Sequence, residues 1–133
     1  MPNAAEEVLR FRTPGQMVSR VPRERCEIAG QVIEAGATVT CLLGSANRDD
    51  EIFPDGDSFD IGRANAKQHL AFSRGAHFCL GASLSRMEVT SFLATFTRRF
   101  PDSELAADGI EWLPNTFLLG VKELPIRLGR DRG

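Results

Sequence analysis

The sequence has few cysteines, and their spacing does not pair them. The 133-residue chain contains three, Cys26, Cys41 and Cys79, and none of them belongs to a CxxC motif. An odd number of dispersed cysteines supports neither a disulfide framework nor a zinc ribbon. We therefore expect a protein of a reducing cytoplasm.

The sequence also lacks long apolar runs and an excess of one charge. No apolar segment approaches the roughly 20 residues that a membrane-spanning helix needs. The N-terminus, MPNAAEEVLR, does not have the layout of a secretory signal. Sixteen basic and 18 acidic residues give a net charge of −2, and the basic residues Arg86, Arg98 and Arg99 fit a solvated helix face. We predict one domain with no membrane anchor and no nucleic-acid partner.

Two segments of the sequence are predicted to be its main helices. Residues 3–11 begin with a capping-box pattern formed by Asn3 and Glu6. Residues 80–100 have the clearest helical pattern, which ends before Pro101. The apolar side chains that follow helical spacing in this second segment are Leu84, Val89, Phe92, Leu93, Phe96 and Phe100.

Shorter elements and one long loop are predicted between and after these helices. Residues 18–39 have the alternation and turn residues of short β-hairpins, and residues 40–46 fit a short helix. Residues 47–67 are polar but contain isolated apolar side chains that need packing partners, so we expect an ordered meander. Those side chains are Ile52, Phe53, Phe59 and Ile61. With short β-like segments in residues 111–128, the predicted fold class is α+β.

The stretch FSRGAHFCLG, which ends at Gly81, has the features of a loop that presents a thiolate. Cys79 lies just before the second helix, and a thiolate persists near neutral pH when a metal, backbone N–H groups or a helix N-terminus stabilise it. Gly75 and Gly81 permit a tight turn and the close approach of a flat ligand. Phe72 is placed to lie against such a ligand, and His77 to donate to an anionic group on it.

Other interpretations of the cysteines exist. Cys26 and Cys41 lie in apolar-alternating segments and fit small buried hydrophobic residues. For Cys79, one alternative is a nucleophile paired with His77, although the two residues are too close in sequence to imply a dyad. Another is a zinc site with His69, which lacks a convincing fourth ligand.

The cysteine stretch resembles the haem-ligand signature of cytochrome P450, in which Phe, Gly, a basic residue, Cys and Gly recur at this spacing. Glu7 and Arg10 in AEEVLR resemble the Glu-x-x-Arg of that family, and Arg63 in FDIGR resembles the third member of its Glu-Arg-Arg network. The segment ANRDDEIFPDGDSFDIGR resembles the family's meander. Arg20 falls where soluble bacterial members carry an arginine for a haem propionate.

The resemblance implies a haem-thiolate monooxygenase that inserts one oxygen atom of O2 into a small organic substrate. Cys79 would be the catalytic residue and the axial ligand of haem b, with electrons supplied by a ferredoxin or a flavin reductase. Glu7, Arg10 and Arg63 would form a structural network that holds the meander. The implied haem-binding residues are Arg20, Phe72, Gly75, His77, Cys79 and Gly81, with Arg74 as a weaker candidate.

The resemblance covers residues 1–133 as the C-terminal haem-binding part of a P450 domain. No segment resembles the family's distal helix or the segments that shape its substrate pocket, so we expect an exposed apolar face on the second helix. The alternative function is therefore a truncated P450 product without independent catalysis. Such a product would be a weak haem binder, or a fragment that depends on the missing N-terminal part of the fold as its partner.

Overall fold

Two main helices, one short helix and three small sheets form the fold, which we describe from a computed structural model for residues 2–106 and 109–133. Helix α1 spans Pro2–Phe11 and helix α3 spans Ala82–Arg99, with a short helix α2 at Leu43–Ala46 between them. Single 3₁₀ turns lie at Ala66–Gln68 and Gly75–His77. In the described part of the chain no helix is both long enough and apolar enough to cross a membrane.

The strands pair as three antiparallel two-stranded sheets. The turn of the second sheet has positive φ at both Ala29 and Gly30, as in a tight hairpin, which confirms the predicted turn. The prediction of a helix over residues 40–46 is wrong for its first half, because Thr40 pairs with Ser19 in the first sheet. The strands are β1 (Met17–Arg20) with β4 (Val39–Leu42), β2 (Cys26–Ile28) with β3 (Gln31–Ile33), and β5 (Glu104–Leu105) with β6 (Ile126–Arg127).

Helix α1 is tied to the meander by its first turn. The predicted capping role of Asn3 is wrong, because α1 already includes Pro2 and Asn3 lies within the helix. The Asn3 side-chain amide instead donates to the backbone carbonyls of Ile61, at 2.6 Å, and Arg63, at 3.2 Å. These bonds hold the end of the meander against the helix.

The meander is ordered as predicted but uses fewer apolar anchors than expected. Residues 47–65 contain no helix or strand. Phe53 is buried, whereas Ile52, Phe59 and Ile61 are about half exposed. Phe59 packs its ring against Phe11 of α1, with 5.5 Å between ring centroids. Hydrogen bonds from Arg10 and Arg63 to backbone carbonyls therefore hold much of this segment in place.

The apolar core of the described residues is small. Leu9, Phe72 and Ala82 form a buried cluster that joins α1, the cysteine stretch and the start of α3. The largest fully buried side chains also include polar ones, namely Arg10, Glu7, Asn47 and Thr13. The fold therefore depends on buried polar networks as well as on apolar packing.

Most of helix α3 is not covered by this chain. Ala82 is its one buried residue, while Leu84, Met87 and Phe92 are each more than half exposed. Phe92 and Phe96 stack on each other, with 5.2 Å between centroids. The expectation of an exposed apolar face on this helix is confirmed.

The interpretation of Cys41 as a buried hydrophobic residue is wrong. Cys41 lies on β4 and is exposed, and Cys26 on β2 is partly exposed. The reason is that each small sheet contains only two strands, so no second layer covers these side chains.

Candidate functional site

The cysteine loop has a defined backbone conformation. The backbone N–H of Cys79 donates to the carbonyl of Phe72 at 3.0 Å, and the Cys79 carbonyl accepts from the N–H of Ala82 at 3.2 Å. Both sides of the residue are thereby fixed, while the thiol itself is free and exposed. Gly81 adjoins the sulfur, since a Cβ added there would lie 3.8 Å from Sγ. The loop holds its thiol outward on a constrained backbone.

Helix α3 begins close to this thiol. Its first residue is Ala82, two positions later than the sequence predicted, and Gly81 is the N-cap residue. The N-terminal end of a helix carries a partial positive charge that favours nearby anions. Because the Ala82 N–H bonds to the Cys79 carbonyl, the positive end of α3 lies beside the cysteine.

Gly75 supplies a backbone conformation that other residues resist, and its replacement gives a testable result. Gly75 has φ of +76°, and a Cβ there would meet nothing within 4 Å. Gly75→Ala should therefore lower the free energy of unfolding by about 1–2 kcal/mol through backbone strain alone. Urea unfolding measures this. Gly15→Ala, at a glycine with open space but no positive φ, is the matched control, and an equal loss in both variants contradicts the assignment.

Among the other residues predicted for the site, Phe72 is buried, whereas Arg20, Arg74 and His77 are exposed. Phe72 is buried in the core cluster beneath the loop. His77 and Arg74 are exposed on the loop. Arg20, at the end of β1, reaches the loop, with its Nη2 donating to Ser73 Oγ at 3.4 Å.

A cleft lies beside this contact between β1 and the cysteine loop. Its volume is about 260 Å³. Arg20 and Arg74 contribute positive charge to its lining, and Val18, Leu43 and Leu70 contribute apolar surface. The residues that line it are Val18, Arg20, Cys41, Leu43, Leu70, Ser73 and Arg74. Such a cleft suits the anionic edge of an otherwise apolar ligand.

Arg10 is the centre of a buried network that joins α1 to the meander. Its Nε and Nη2 form a bidentate pair with Glu7, at 2.7 and 2.8 Å. Its remaining N–H groups donate to backbone carbonyls of the meander, so all five donors of the guanidinium are used. These carbonyls belong to Asn47 at 2.7 Å, Gly56 at 2.8 Å and Ser58 at 2.9 Å.

Arg63 and Glu7 complete this network. Arg63 Nε lies 3.3 Å from Glu7 Oε1, and its Nη atoms donate to the carbonyls of Pro54, Asp55 and Ser58. Burial opposes ionisation of Glu7, but hydrogen bonds from Arg10 and from the Asp60 N–H outweigh it and hold the pKa of the carboxyl below 4.5. The network is therefore an ionised, fully bonded unit, and it unites the three residues that the sequence grouped.

A second buried cluster was not predicted. Glu6 Oε1 accepts from Arg86 Nε at 2.8 Å, and Glu6 Oε2 accepts from Arg86 Nη2 at 3.3 Å and lies 3.0 Å from His69 Nε2. The interpretation of Arg86 as part of a solvated face is thus wrong, because its guanidinium is paired and also lies 4.7 Å from the centre of the Phe72 ring. Both ring nitrogens of His69 are engaged, Nδ1 by the Ala71 N–H, which opposes the zinc alternative.

Asn47 and Thr13 form a further contact that the sequence gave no reason to expect. Asn47 is completely buried, and its amide nitrogen donates to Thr13 Oγ1 at 2.6 Å. Its side-chain oxygen accepts from the Leu70 N–H at 2.6 Å. Asn47 therefore joins the end of α1 to the segment that enters the cysteine loop.

Acidification should destabilise the chain in two steps. Burial, aided by Arg86 and opposed by Glu6, lowers the pKa of His69 from 6.5, so the unfolded chain takes up this proton first and stability falls below about pH 6.5. Burial raises the pKa of Glu6, but the bonds to Arg86 and His69 lower it by more. The folded-state pKa of Glu6, like that of Glu7, therefore lies below 4.5. Carboxylate stabilisation is therefore present above pH 4.5 and lost as the pH falls through the folded-state pKa values.

Urea unfolding at a series of pH values measures both steps. His69→Gln should remove the first step and leave the second. A first step of unchanged size in this variant would show that another group titrates.

A model of the family described as cytochrome P450 matches residues 1–129. The chain belongs to the cytochrome P450 family. Putative cytochrome P450 140 of Mycobacterium tuberculosis is 47% identical over 131 residues, which are 98% of this chain and 30% of that protein. The 6-deoxyerythronolide B hydroxylase of Saccharopolyspora erythraea is 39% identical over 130 residues, covering 96% of this chain and 32% of that protein.

Solved P450 structures agree with the fold of this chain. The crystal structure of CYP109E1 from Bacillus megaterium in complex with testosterone aligns with a TM-score of 0.92 at 41% identity, over 97% of this chain and 36% of that one. PksS of Bacillus subtilis aligns with a TM-score of 0.90 at 38% identity, over 97% and 34%. The predicted α+β part of a P450 fold is confirmed. The chain spans about a third of the length of these P450 relatives, and membership of the family implies haem-thiolate chemistry.

Proposed function

We propose that this chain is the C-terminal haem-binding part of a P450 monooxygenase, with Cys79 as the thiolate ligand of haem b. The observation that carries the proposal is the outward thiol on a backbone fixed from both sides, with the positive end of α3 beside it. Family membership implies the cofactor, and the loop presents an exposed thiol as its ligand.

The side chains around Cys79 fit a flat apolar group. Phe78 is half exposed and Leu80 is completely exposed, on either side of the cysteine. Exposed apolar side chains next to an exposed thiol are unfavourable in water unless something covers them. A porphyrin would cover them, and Gly75 and Gly81 keep side chains out of its way.

The cations around the loop fit the two carboxylates of haem b. Arg20 lies at the cleft beside the loop and bonds to Ser73, and His77 is exposed in the loop itself. A guanidinium binds a carboxylate in a bidentate manner, and His77 provides a hydrogen-bond donor. Arg74, on the rim of the same cleft, is a third candidate. We assign Arg20 and His77 to the haem propionates.

The buried residues of this chain hold the ligand in place. Phe72 lies beneath the loop and carries the carbonyl that binds the Cys79 N–H. Glu7, Arg10 and Arg63 fix the meander that leads to the loop. A bound haem with a thiolate ligand supplies the activation of O2, because the thiolate pushes electron density toward the iron.

The complete reaction requires partners. We propose a small organic substrate, a ferredoxin or flavin reductase as electron donor, and a cytoplasmic setting. The exposed apolar face of α3, which includes Leu84, Met87 and Phe92, fits contact with the polypeptide that makes up the rest of a P450 fold. Without that polypeptide we expect haem binding but no turnover.

Haem titration of the purified chain tests the proposal. The reduced carbon monoxide complex should show a thiolate-type Soret band in the folded chain and should lose it in the same chain unfolded by urea. The control separates a formed site from haem that adheres to apolar surface. A folded, soluble chain that takes up no haem contradicts the proposal and favours a truncated product without a cofactor.

A further inference from the structure

We propose that Glu6, His69 and Arg86 form a positioning network for the cysteine loop, separate from the network of Arg10. Glu6 lies on α1, His69 lies just before the cysteine loop, and Arg86 lies near the start of α3, which follows the loop. The cluster therefore joins the two segments that flank Cys79 to a third, fixed element. The inference extends the proposed haem site, and it concerns how the ligand is held.

The donor pattern of His69 defines its role. Its Nδ1 accepts a hydrogen bond from the Ala71 N–H at 3.1 Å, so the proton of the neutral ring must be on Nε2. Nε2 then donates to Glu6 Oε2 at 3.0 Å. A single imidazole thus bonds the backbone at the loop entrance to the carboxylate of α1. Lowering of the His69 pKa by burial agrees with the neutral ring.

Arg86 and His69 both contact the ring of Phe72. The Arg86 guanidinium carbon lies 4.7 Å from the ring centroid, and the His69 ring lies 5.7 Å away at an angle of 52°. The same two residues bind Glu6, Arg86 through both carboxylate oxygens and His69 through Oε2. Glu6 therefore orients both groups that fix the ring.

Phe72 transmits this position to the cysteine. Its ring is buried between α1 and α3, and its carbonyl accepts the Cys79 N–H at 3.0 Å. A shift of the ring moves that carbonyl, and with it the backbone that aims the thiol. Arg10, by contrast, hydrogen-bonds to Glu7 and to carbonyls of residues 47–58, so it acts directly on the meander and reaches the loop entrance through the bond of Asn47 to Leu70.

Hydrogen exchange of the haem-free chain tests the inference without the cofactor. Arg86→Lys keeps the charge but loses the bidentate fork and the flat face over Phe72. We expect exchange of the Cys79 amide to accelerate about tenfold relative to the Phe53 amide, which bonds to Asp49 within the meander. General destabilisation would accelerate both amides alike. Arg99→Lys is the control, because Arg99 lies on the same helix as Arg86 but forms an exposed pair with Asp131 near the C-terminus of the chain.

Two substitutions at His69 separate its two bonds. His69→Asn keeps an acceptor near the Nδ1 position, and His69→Gln keeps a donor near the Nε2 position. If the network positions the loop, His69→Gln should retain more of the Cys79 protection, because it keeps the bond to Glu6. Equal Cys79-to-Phe53 ratios in wild type, Arg86→Lys and both His69 variants would overturn the inference.

The haem-loaded chain provides a second readout. In Arg86→Lys, part of the reduced carbon monoxide complex should change from a thiolate-type to a thiol-type Soret band, while Arg99→Lys keeps the wild-type spectrum. A wild-type chain without haem refutes the proposed function, and the exchange ratios still decide the positioning role. Haem binding with an unchanged band and unchanged exchange in Arg86→Lys rejects the positioning role alone.

Discussion

Arg10→Met is expected to lower the free energy of unfolding by about 3–5 kcal/mol, a large part of the stability of a small domain. Arg10 is 1% exposed and bonds through all of its N–H groups. Methionine fills much of the same space but leaves the fully buried Glu7 carboxylate without its main partner. Three meander carbonyls lose a donor at the same time. Urea denaturation of both proteins at pH 7 measures the difference.

Two further variants identify the origin of this loss. Arg127→Met removes an exposed arginine that pairs with Glu104, and should cost less than about 1 kcal/mol. The double variant Glu7→Gln with Arg10→Met should recover part of the stability, because it leaves no unpaired buried charge. If the single variants at Arg10 and Arg127 cost the same, Arg10 does not hold the meander.

The Glu7–Arg10 pair of this network could be predicted from the sequence, and its backbone partners could not. Glu7 and Arg10 are three residues apart on a predicted helix, so a shared face follows from helix geometry. The carbonyls of Asn47, Gly56 and Ser58 carry no side-chain signal, because every residue has such an acceptor. The apolar residues of the meander therefore predict an ordered segment, but they do not indicate which backbone carbonyls bind the guanidinium groups.

The cluster of Glu6, His69 and Arg86 shows a second limit. His69 and Arg86 lie 63 and 80 residues from Glu6 along the chain, so no local periodicity relates them. Arg86 alone fits an exposed position on a polar helix face. Only the packing of α1 against α3 and against the 3₁₀ turn at Ala66–Gln68, which depends on the tertiary fold, brings the three side chains together.

The cysteine loop was the most predictable part because its requirements are local. Positive φ at Gly75, the turn before Cys79 and the helix after Gly81 all follow from residues within ten positions. The exposure of β4 could not be predicted in the same way. Cys41 alternates with apolar residues as a covered strand would, but a second layer over the sheet is needed for burial, and the described residues do not supply one.

Cys79→Ala is expected to abolish the thiolate-type Soret band of the reduced carbon monoxide complex completely, with little effect on stability. The thiol is exposed, and substitution of an exposed side chain usually changes the free energy of unfolding by less than about 0.5 kcal/mol. Cys41→Ala is a matched control, because it also removes a free, exposed thiol. It should keep the band. Visible spectroscopy and urea unfolding of the same samples separate loss of the ligand from loss of the fold.

The control is informative because Cys41 is a real competitor for the metal. It lines the cleft that contains Arg20 and Ser73, so a haem whose propionate bound Arg20 would lie near this thiol as well. The difference is in the backbone. Cys79 is held by bonds on both sides beside the N-terminus of the 18-residue helix α3, whereas Cys41 lies in a two-stranded sheet and precedes only the four-residue helix α2. Loss of the band in Cys41→Ala with retention in Cys79→Ala would move the ligand to β4 and refute the proposed site.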